Sequence, residues 1–371
     1  MMTTRAFFAW ILVGTLLVGG VLTGCAPAAE PEPEAEPEEE EEEGESPAAP
    51  EMDTMVWQLQ SHAKPGHYEY DAMVNAINTI NECSGGRLKI EPLAAGAVAP
   101  ATDEFQALHN GVVELAQTGH HNNDDLKMNS GMFTTMSGGL TAVQLILWFQ
   151  EGGGDQLCED WYESALDIEY ISAGIIGPEE VWLSSTVPIE TLDDLDGLKV
   201  RTAGHGGEIL SRMGSATVHM PSGEIYEATQ RGVIDAFDYG SLTLNWQLSF
   251  QEVSDYMYLS PSRSPTTSTA ICANRDAWSE LSPDLQLLVQ KAFAAETVPL
   301  YAWIVVQQAE ALQNFIDYGV QVERLSSEVE DAFMEEATNL YDEMIAEDPE
   351  LREVVLSMRE FKELCEAQGI Q

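Results

Sequence analysis

One arginine is the first candidate for binding chemistry in this sequence. Arg201 ends the short run "LKVR" and precedes the glycine-rich stretch "TAGHGGE". If that run is a strand, Arg201 lies at the carboxyl edge of a sheet, where open α/β folds hold their ligands. Its planar guanidinium stays charged and suits a carboxylate. The alternative is a surface ion pair with Asp193 or Asp196, which residue type alone does not exclude.

The glycines that follow do not form a nucleotide-binding motif. In the dinucleotide fingerprint G-x-G-x-x-G, Gly204 and Gly206 fit, but Ile209 stands at the third glycine position. The phosphate loop G-x-x-x-x-G-K-[ST] is absent from the sequence. We therefore predict a flexible strand-to-helix turn in which the backbone approaches a ligand.

Histidines are the second candidate group. A zinc set could be drawn from His62, His67, His120, His121 and Asp124, but the helical zinc motif H-E-x-x-H is absent. His120 and His121 follow the predicted strand "VVELAQTG". We predict that these two side chains line a cleft and contact a ligand rather than a metal.

The N-terminus indicates export. Arg5 precedes an apolar run over residues 6–21, and "LTGC" then ends at Cys25. This order is typical of a bacterial lipoprotein signal, in which the cysteine becomes the lipid-carrying N-terminus. A plain signal peptide or an anchor helix is the alternative. Residues 26–54 are rich in Pro and Glu and predict a disordered, extended tether.

The charge balance excludes nucleic acid as a partner. The chain of 371 residues has 63 acidic and 16 basic side chains, and residues 55–371 alone keep 50 and 15. Phosphate contacts need clustered Lys and Arg, which this sequence lacks.

Four cysteines remain after Cys25: Cys83, Cys158, Cys272 and Cys365. An exported protein can form disulfides, and four cysteines allow three full pairings, which the sequence leaves open. The spacing C-x-x-C, which would indicate a metal site, is absent from the sequence.

The rest of the chain predicts a two-lobed α/β fold. Predicted strands and helices alternate over residues 55–173, which we assign to lobe 1 together with parts of residues 263–371, and again over residues 174–262, which we assign to lobe 2. Residues 263–371 begin with a strand that crosses the hinge. A long helical pattern over residues 282–319 then predicts a spine across both lobes, and C-terminal helices follow. The expected architecture resembles a periplasmic binding protein with its ligand cleft between the lobes.

Two long stretches resemble the solute-binding proteins of TRAP transporters, the DctP-like family. They are "LDDLDGLKVRTAG…MGSATVHMPSGEIYEATQRGVIDAFDY" and "HAKPGHYEYDAMVNAINTINECSGGRLKIEPLAAGAV…DEFQALHNGVVELAQTG". The resemblance covers residues 55–371. It implies that Arg201 binds the carboxylate of a small organic acid outside the cell membrane.

The segment "PSGEIYEATQRGVIDAFDYGS" resembles a branch that binds 2-oxo or 2-hydroxy monocarboxylates beside a metal ion. The resemblance implies metal contacts at Glu180, Asp238 and the Tyr239 carbonyl, where that branch has Gln, Glu and Trp. Ca²⁺ would suit these oxygen ligands. The alternative for both acids is solvated surface. Phe237, which precedes Asp238, is a further candidate for ligand contact.

We therefore predict a lipid-anchored extracytoplasmic receptor that delivers a small organic acid to a TRAP-type permease and is not an enzyme. A homodimer is an open expectation for its assembly. A secreted metal-dependent hydrolase would need a base and an activated water, and the sequence shows neither. A structural surface lipoprotein would leave Arg201 unexplained.

Overall fold

The computed structural model describes residues 54–100, 103–120, 129–166 and 168–370. Its strands are β1 Met55–Ser61, β2 Leu88–Leu93, β3 Leu115–Gly119, β4 Ile168–Ser172, β5 Ile176–Gly177, β6 Val181–Ser185, β7 Lys199–Arg201, β8 Ala216–Val218, β9 Ala236–Phe237, β10 Tyr256–Leu259, β11 Thr267–Asn274 and β12 Gln321–Arg324. Its α-helices are α1 Tyr68–Cys83, α2 Glu104–His109, α3 Ala142–Glu151, α4 Gly154–Leu166, α5 His205–Arg212, α6 Ile225–Gln230, α7 Leu242–Gln247, α8 Arg275–Glu280, α9 Pro283–Tyr318, α10 Ser327–Glu347 and α11 Pro349–Ala367. The predicted lipid attachment at Cys25, the tether up to residue 53, His121 and Asp124 lie outside the described residues.

The strands form two mixed sheets. In the first, the order is β2-β1-β3-β11-β4, with β5 paired to β11. In the second, the order is β12-β10-β6-β9-β7-β8. Helices alternate with the parallel strands β1, β2 and β3, as the sequence predicts, because a parallel connection needs a crossover. The two-sheet α/β fold is thus confirmed.

Antiparallel pairs arise where the chain passes between the two sheets. It leaves the first sheet through β5 and enters the second through β6, and it returns through β10 and β11. The outgoing and returning strands run in opposite directions and pair directly, so β6 is antiparallel to β10 and β5 is antiparallel to β11. Two connecting segments, residues 178–180 and 260–266, therefore lie between the sheets.

The long helix α9 forms the predicted spine. It packs against α1 and β4 beside the first sheet and against α7 and β12 beside the second. Pro283 suits the first turn because proline lacks a backbone N–H group, and the N–H groups of that turn have no partner within the helix. Gly319 ends the helix in the left-handed conformation. Pro299 lies inside the helix. Among the described residues, no helix combines the length and apolar character needed to cross a membrane.

A large apolar core joins the second sheet to the C-terminal helices. Trp182 of β6 is fully buried and packs edge-on against Phe333 of α10, with ring centroids 5.7 Å apart. Trp182 is therefore a core residue, as its residue type suggests. The described cysteines all carry free thiols.

Candidate functional site

Arg201 and Asp238 meet at the carboxyl ends of two neighbouring parallel strands. In the pairing of β7 with β9, Arg201 lies opposite Phe237, so Asp238 comes directly after the end of β9. The Nη1 atom of Arg201 donates to the Asp238 carbonyl at 2.8 Å and to its Oδ1 at 3.1 Å. The strand-end rule that singled out Arg201 thus also positions Asp238.

Arg201 is a buried cation and not a surface residue. Its side chain is 7% exposed, and its partner is Asp238 rather than Asp193 or Asp196. Nε and Nη2 both donate to the Met220 carbonyl at 3.1 Å. The Tyr239 ring lies 6.0 Å from the guanidinium carbon.

A second arginine, which the sequence analysis missed, completes the group. Arg263 lies on the returning segment between the sheets, and its side chain is 6% exposed. Its Nη2 lies 3.0 Å from Glu180 Oε2, and its Nη1 lies 3.3 Å from Asp238 Oδ2. The same guanidinium donates to the Val181 and Trp182 carbonyls. The sequence did contain one indication of Arg263. Basic residues are scarce in this acidic chain, so each arginine is a candidate for a specific ion pair or binding role.

The glycines after Arg201 make room for this group. A Cβ on Gly206 would lie 3.2 Å from Cγ of Arg263, and a Cβ on Gly207 would lie 2.7 Å from Cγ2 of Thr202. Thr202 in turn donates its hydroxyl to Asp238 Oδ2 at 2.6 Å. The two glycines therefore let helix α5 approach Arg263 and Thr202 closely, whereas the sequence predicted approach to a ligand.

The four charged groups balance formally, with two guanidiniums and two carboxylates. Burial raises the pKa of Glu180, and the nearby Arg263 guanidinium opposes that rise. Tyr68, at the start of α1, lies near this group, since Glu180 and Tyr239 both influence its hydroxyl. Burial raises the pKa of Tyr68 well above its usual value, while a hydrogen bond with Ser241 lowers it. The Tyr68 hydroxyl therefore stays neutral.

The structure places the other candidates elsewhere or gives them partners. Phe237 is fully buried in the apolar core against Phe250, with ring centroids 4.7 Å apart, and its predicted ligand contact stays a prediction. The Tyr239 carbonyl, predicted to face a metal, accepts a hydrogen bond from the Asn245 side-chain amide. His120 is fully buried, and its predicted contact with a cleft or ligand stays a prediction. Its Nδ1 lies 2.7 Å from the Tyr162 hydroxyl, and its ring packs beside the rings of Tyr162 and Phe133.

His62 belongs to a separate polar pair. Its Nε2 lies 3.0 Å from Glu69 Oε2, and its Nδ1 lies 3.1 Å from the Gln117 carbonyl. Burial alone would lower the pKa of His62, but attraction to Glu69 outweighs burial and raises it to about 9. No cluster of three or more His, Cys, Asp or Glu side chains that could hold a metal occurs among the described residues.

The chain belongs to a known family. Residues 59–348 match the family described as "DctP: Bacterial extracellular solute-binding protein, family 7". The fold, the two sheets and the spine helix agree with that assignment. The protein is therefore a member of the class of extracytoplasmic solute-binding receptors that serve TRAP-type transporters, which confirms the prediction made from the sequence.

Three similar proteins define the branch more closely. A monocarboxylate 2-oxoacid-binding periplasmic protein of Nostoc sp. is 25% identical over 283 residues, which is 76% of this chain and 77% of that protein. A TRAP periplasmic solute-binding protein of Pseudoalteromonas atlantica, solved with bound sodium and pyruvate, is 25% identical with a TM-score of 0.80. One from Colwellia psychrerythraea, with bound calcium and pyruvate, is 25% identical with a TM-score of 0.81. Each alignment with these two structures covers 85% of this chain and 96% of the other.

Proposed function

We propose that this protein captures a small 2-oxo or 2-hydroxy monocarboxylate such as pyruvate for import. The observation that supports this most directly is the pair of buried guanidiniums, those of Arg201 and Arg263, which converge on Asp238 between the two sheets. Glu180 and Asp238 balance these two cations, so the group is formally neutral and offers N–H donors to a carboxylate in a chain whose surface otherwise repels an anion. The proteins similar to this chain are transport receptors and not enzymes.

Ligand entry requires the two halves of the molecule to separate. We propose that the two predicted lobes, residues 55–173 and 174–262, move about the segments 178–180 and 260–266, with the boundary placed after Gly177 because β5 pairs with β11 in the first sheet. Arg263 and Glu180 lie on these hinge segments, while Arg201 and Asp238 lie on the second sheet. Closure around a ligand would exclude water and strengthen each arginine–carboxylate contact, as in other hinged receptors.

Pyruvate should raise the melting temperature of the chain from residue 51 onward, and propionate should not. The two acids differ only at the 2-oxygen, so they separate recognition of that oxygen from general attraction to an anion. At 100 times its dissociation constant, a ligand adds about 2.7 kcal/mol to the free energy of unfolding. Differential scanning calorimetry with lactate as a third ligand measures this. Equal responses to all three acids would contradict a site for the 2-oxygen, and no response to any would contradict the ligand class.

We also propose that Cys25 carries a lipid that anchors the receptor outside the cytoplasmic membrane. The family places the protein outside the cytoplasm, and the sequence "LTGC" with its acidic tether supports the anchor. The anchored receptor would then hand its ligand to the membrane subunits of a TRAP permease. A homodimer stays a prediction.

Cys25→Ser should move the protein from the membrane fraction to the soluble fraction. A serine cannot form the thioether that carries the lipid, and no other anchor is proposed. Fractionation of cells with and without a carbonate wash measures this, with Cys83→Ser as the matched control. A variant that stays in the washed membrane would show that residues 6–21 are themselves the anchor.

A further inference from the structure

Two similar receptors contain bound pyruvate together with sodium or calcium, but the charged group of this chain, as it is arranged, does not fit a metal ion. The two acids predicted to ligate the metal, Glu180 and Asp238, both contact the guanidinium of Arg263. Asp238 also accepts hydrogen bonds from Arg201 and Thr202. The third predicted ligand, the Tyr239 carbonyl, already accepts a hydrogen bond from an amide N–H group.

We propose that the guanidinium of Arg263 takes the place of that metal ion, so that this receptor binds its carboxylate without a metal. The inference rests on the proposed function, because it concerns the same site. A guanidinium carries the formal charge of a sodium ion, and that of Arg263 lies between two carboxylates, those of Glu180 and Asp238. It differs in being covalently attached, so the receptor carries its cation with it.

The position of Arg263 is fixed from several sides. Nε donates to the Trp182 carbonyl at 3.1 Å, and Nη2 donates to the Val181 carbonyl at 2.8 Å. The absent side chain of Gly206 leaves the space that its Cγ occupies. An arginine held by two backbone carbonyls and two carboxylates loses little additional freedom when a ligand binds.

The same geometry leaves a donor for the ligand. Among the described residues, Nη1 of Arg263 contacts Asp238 alone, at 3.3 Å. Since each terminal nitrogen of a guanidinium carries two hydrogens, an N–H group of Nη1 remains for a ligand oxygen. We assign this N–H group to the 2-oxygen of the acid, with Arg201 on its carboxylate.

Without Arg263, the two carboxylates would repel each other at close range in a buried place. A calcium ion prefers carboxylate and carbonyl oxygens, so the space left by the side chain would become a cation site. Arg263→Gln should therefore acquire a response to calcium that the native protein lacks. This response needs no organic acid, so it is independent of which ligand the receptor carries.

The experiment compares the native chain from residue 51 onward with Arg263→Gln and with Arg359→Gln. Arg359 is the matched control because it pairs with Asp342 on the surface, where its loss adds the same net charge. Calcium alone is titrated into each metal-free protein, and the melting temperature is measured. We expect Arg263→Gln to gain several degrees more than the native protein or the control, since binding to the acidic surface is common to all three. Equal shifts in all three proteins would overturn the proposal.

Pyruvate binding is then measured by calorimetry in sodium-free buffer, with chelator or with calcium. We expect the native dissociation constant to differ by less than about twofold, while Arg263→Gln binds about tenfold more weakly in chelator and recovers with calcium. A native affinity that falls tenfold in chelator would overturn the proposal. If the native protein binds none of the acids, the proposed ligand class fails and the calcium titration still decides the role of Arg263. If Arg263→Gln is too unstable, the double variant Glu180→Gln/Arg263→Gln, which keeps the Asp238 carboxylate and an amide oxygen at position 180, should still gain more from calcium than the native protein, although less than the single variant.

Discussion

Arg201→Ala is expected to weaken pyruvate binding by about 2–5 kcal/mol, roughly 30-fold or more. The substitution removes one of the two cations in the charged group, the arginine that ends β7. Arg201→Lys keeps the charge but cannot reproduce the planar fork, so its affinity should lie between those of the native protein and the alanine variant. Isothermal titration calorimetry measures both constants.

The control for this comparison is Arg212→Ala. Arg212 pairs with Glu208 and Glu343 at the surface of α5, so its loss changes the net charge equally without touching the buried group. Arg201 also donates to the Met220 and Asp238 carbonyls, and its removal should therefore lower the melting temperature as well. An Arg201→Ala protein that is folded and binds pyruvate with native affinity would exclude the arginine as the carboxylate-binding group.

Asp238→Ala should lower the free energy of unfolding by about 3–5 kcal/mol. The side chain of Asp238 is 3% exposed, and it faces the guanidiniums of Arg201 and Arg263 and the hydroxyl of Thr202. Its removal leaves two buried cations with a single carboxylate, that of Glu180, which pairs with Arg263. A buried ion pair adds little net stability over an apolar pair, but breaking one partner is costly because the other charge stays buried.

The free energy of unfolding is measured by urea unfolding of Asp238→Ala and of Asp342→Ala, which is the control at an exposed ion pair. Asp342 forms an ion pair of 2.7 Å with Arg359, but its side chain is 57% exposed and water can replace the lost partner. The midpoint of the control should therefore barely move. Asp238→Asn keeps the shape and one acceptor oxygen, so it should fall between the two. A loss for Asp238→Ala no larger than that of the control would show that the guanidiniums find other partners or water.

The sequence predicted the parts of the fold that depend on local patterns. The spine was predicted over residues 282–319 and is observed as Pro283–Tyr318, because serine, proline and glycine mark helix ends locally. The parallel strands near the N-terminus follow from strand–helix alternation in the same way. The antiparallel pairs of β6 with β10 and of β5 with β11 could not be predicted, because they arise where distant segments cross between the two sheets.

The residues of the candidate site also differ in whether the local sequence predicts their positions. The sequence by itself predicted that Arg201 ends a short strand, and the family resemblance pointed to Asp238; the parallel pairing of β7 with β9 brings the two side chains together. Only the tertiary structure decided that Arg263 lies between Asp238 and Glu180, since it follows Asp238 by 25 positions and Glu180 by 83 in the sequence. The segment that carries Arg263 has neither helical nor strand periodicity. Its position depends on the returning chain and on the space beside Gly206, and such non-local packing leaves no pattern in the residues around it.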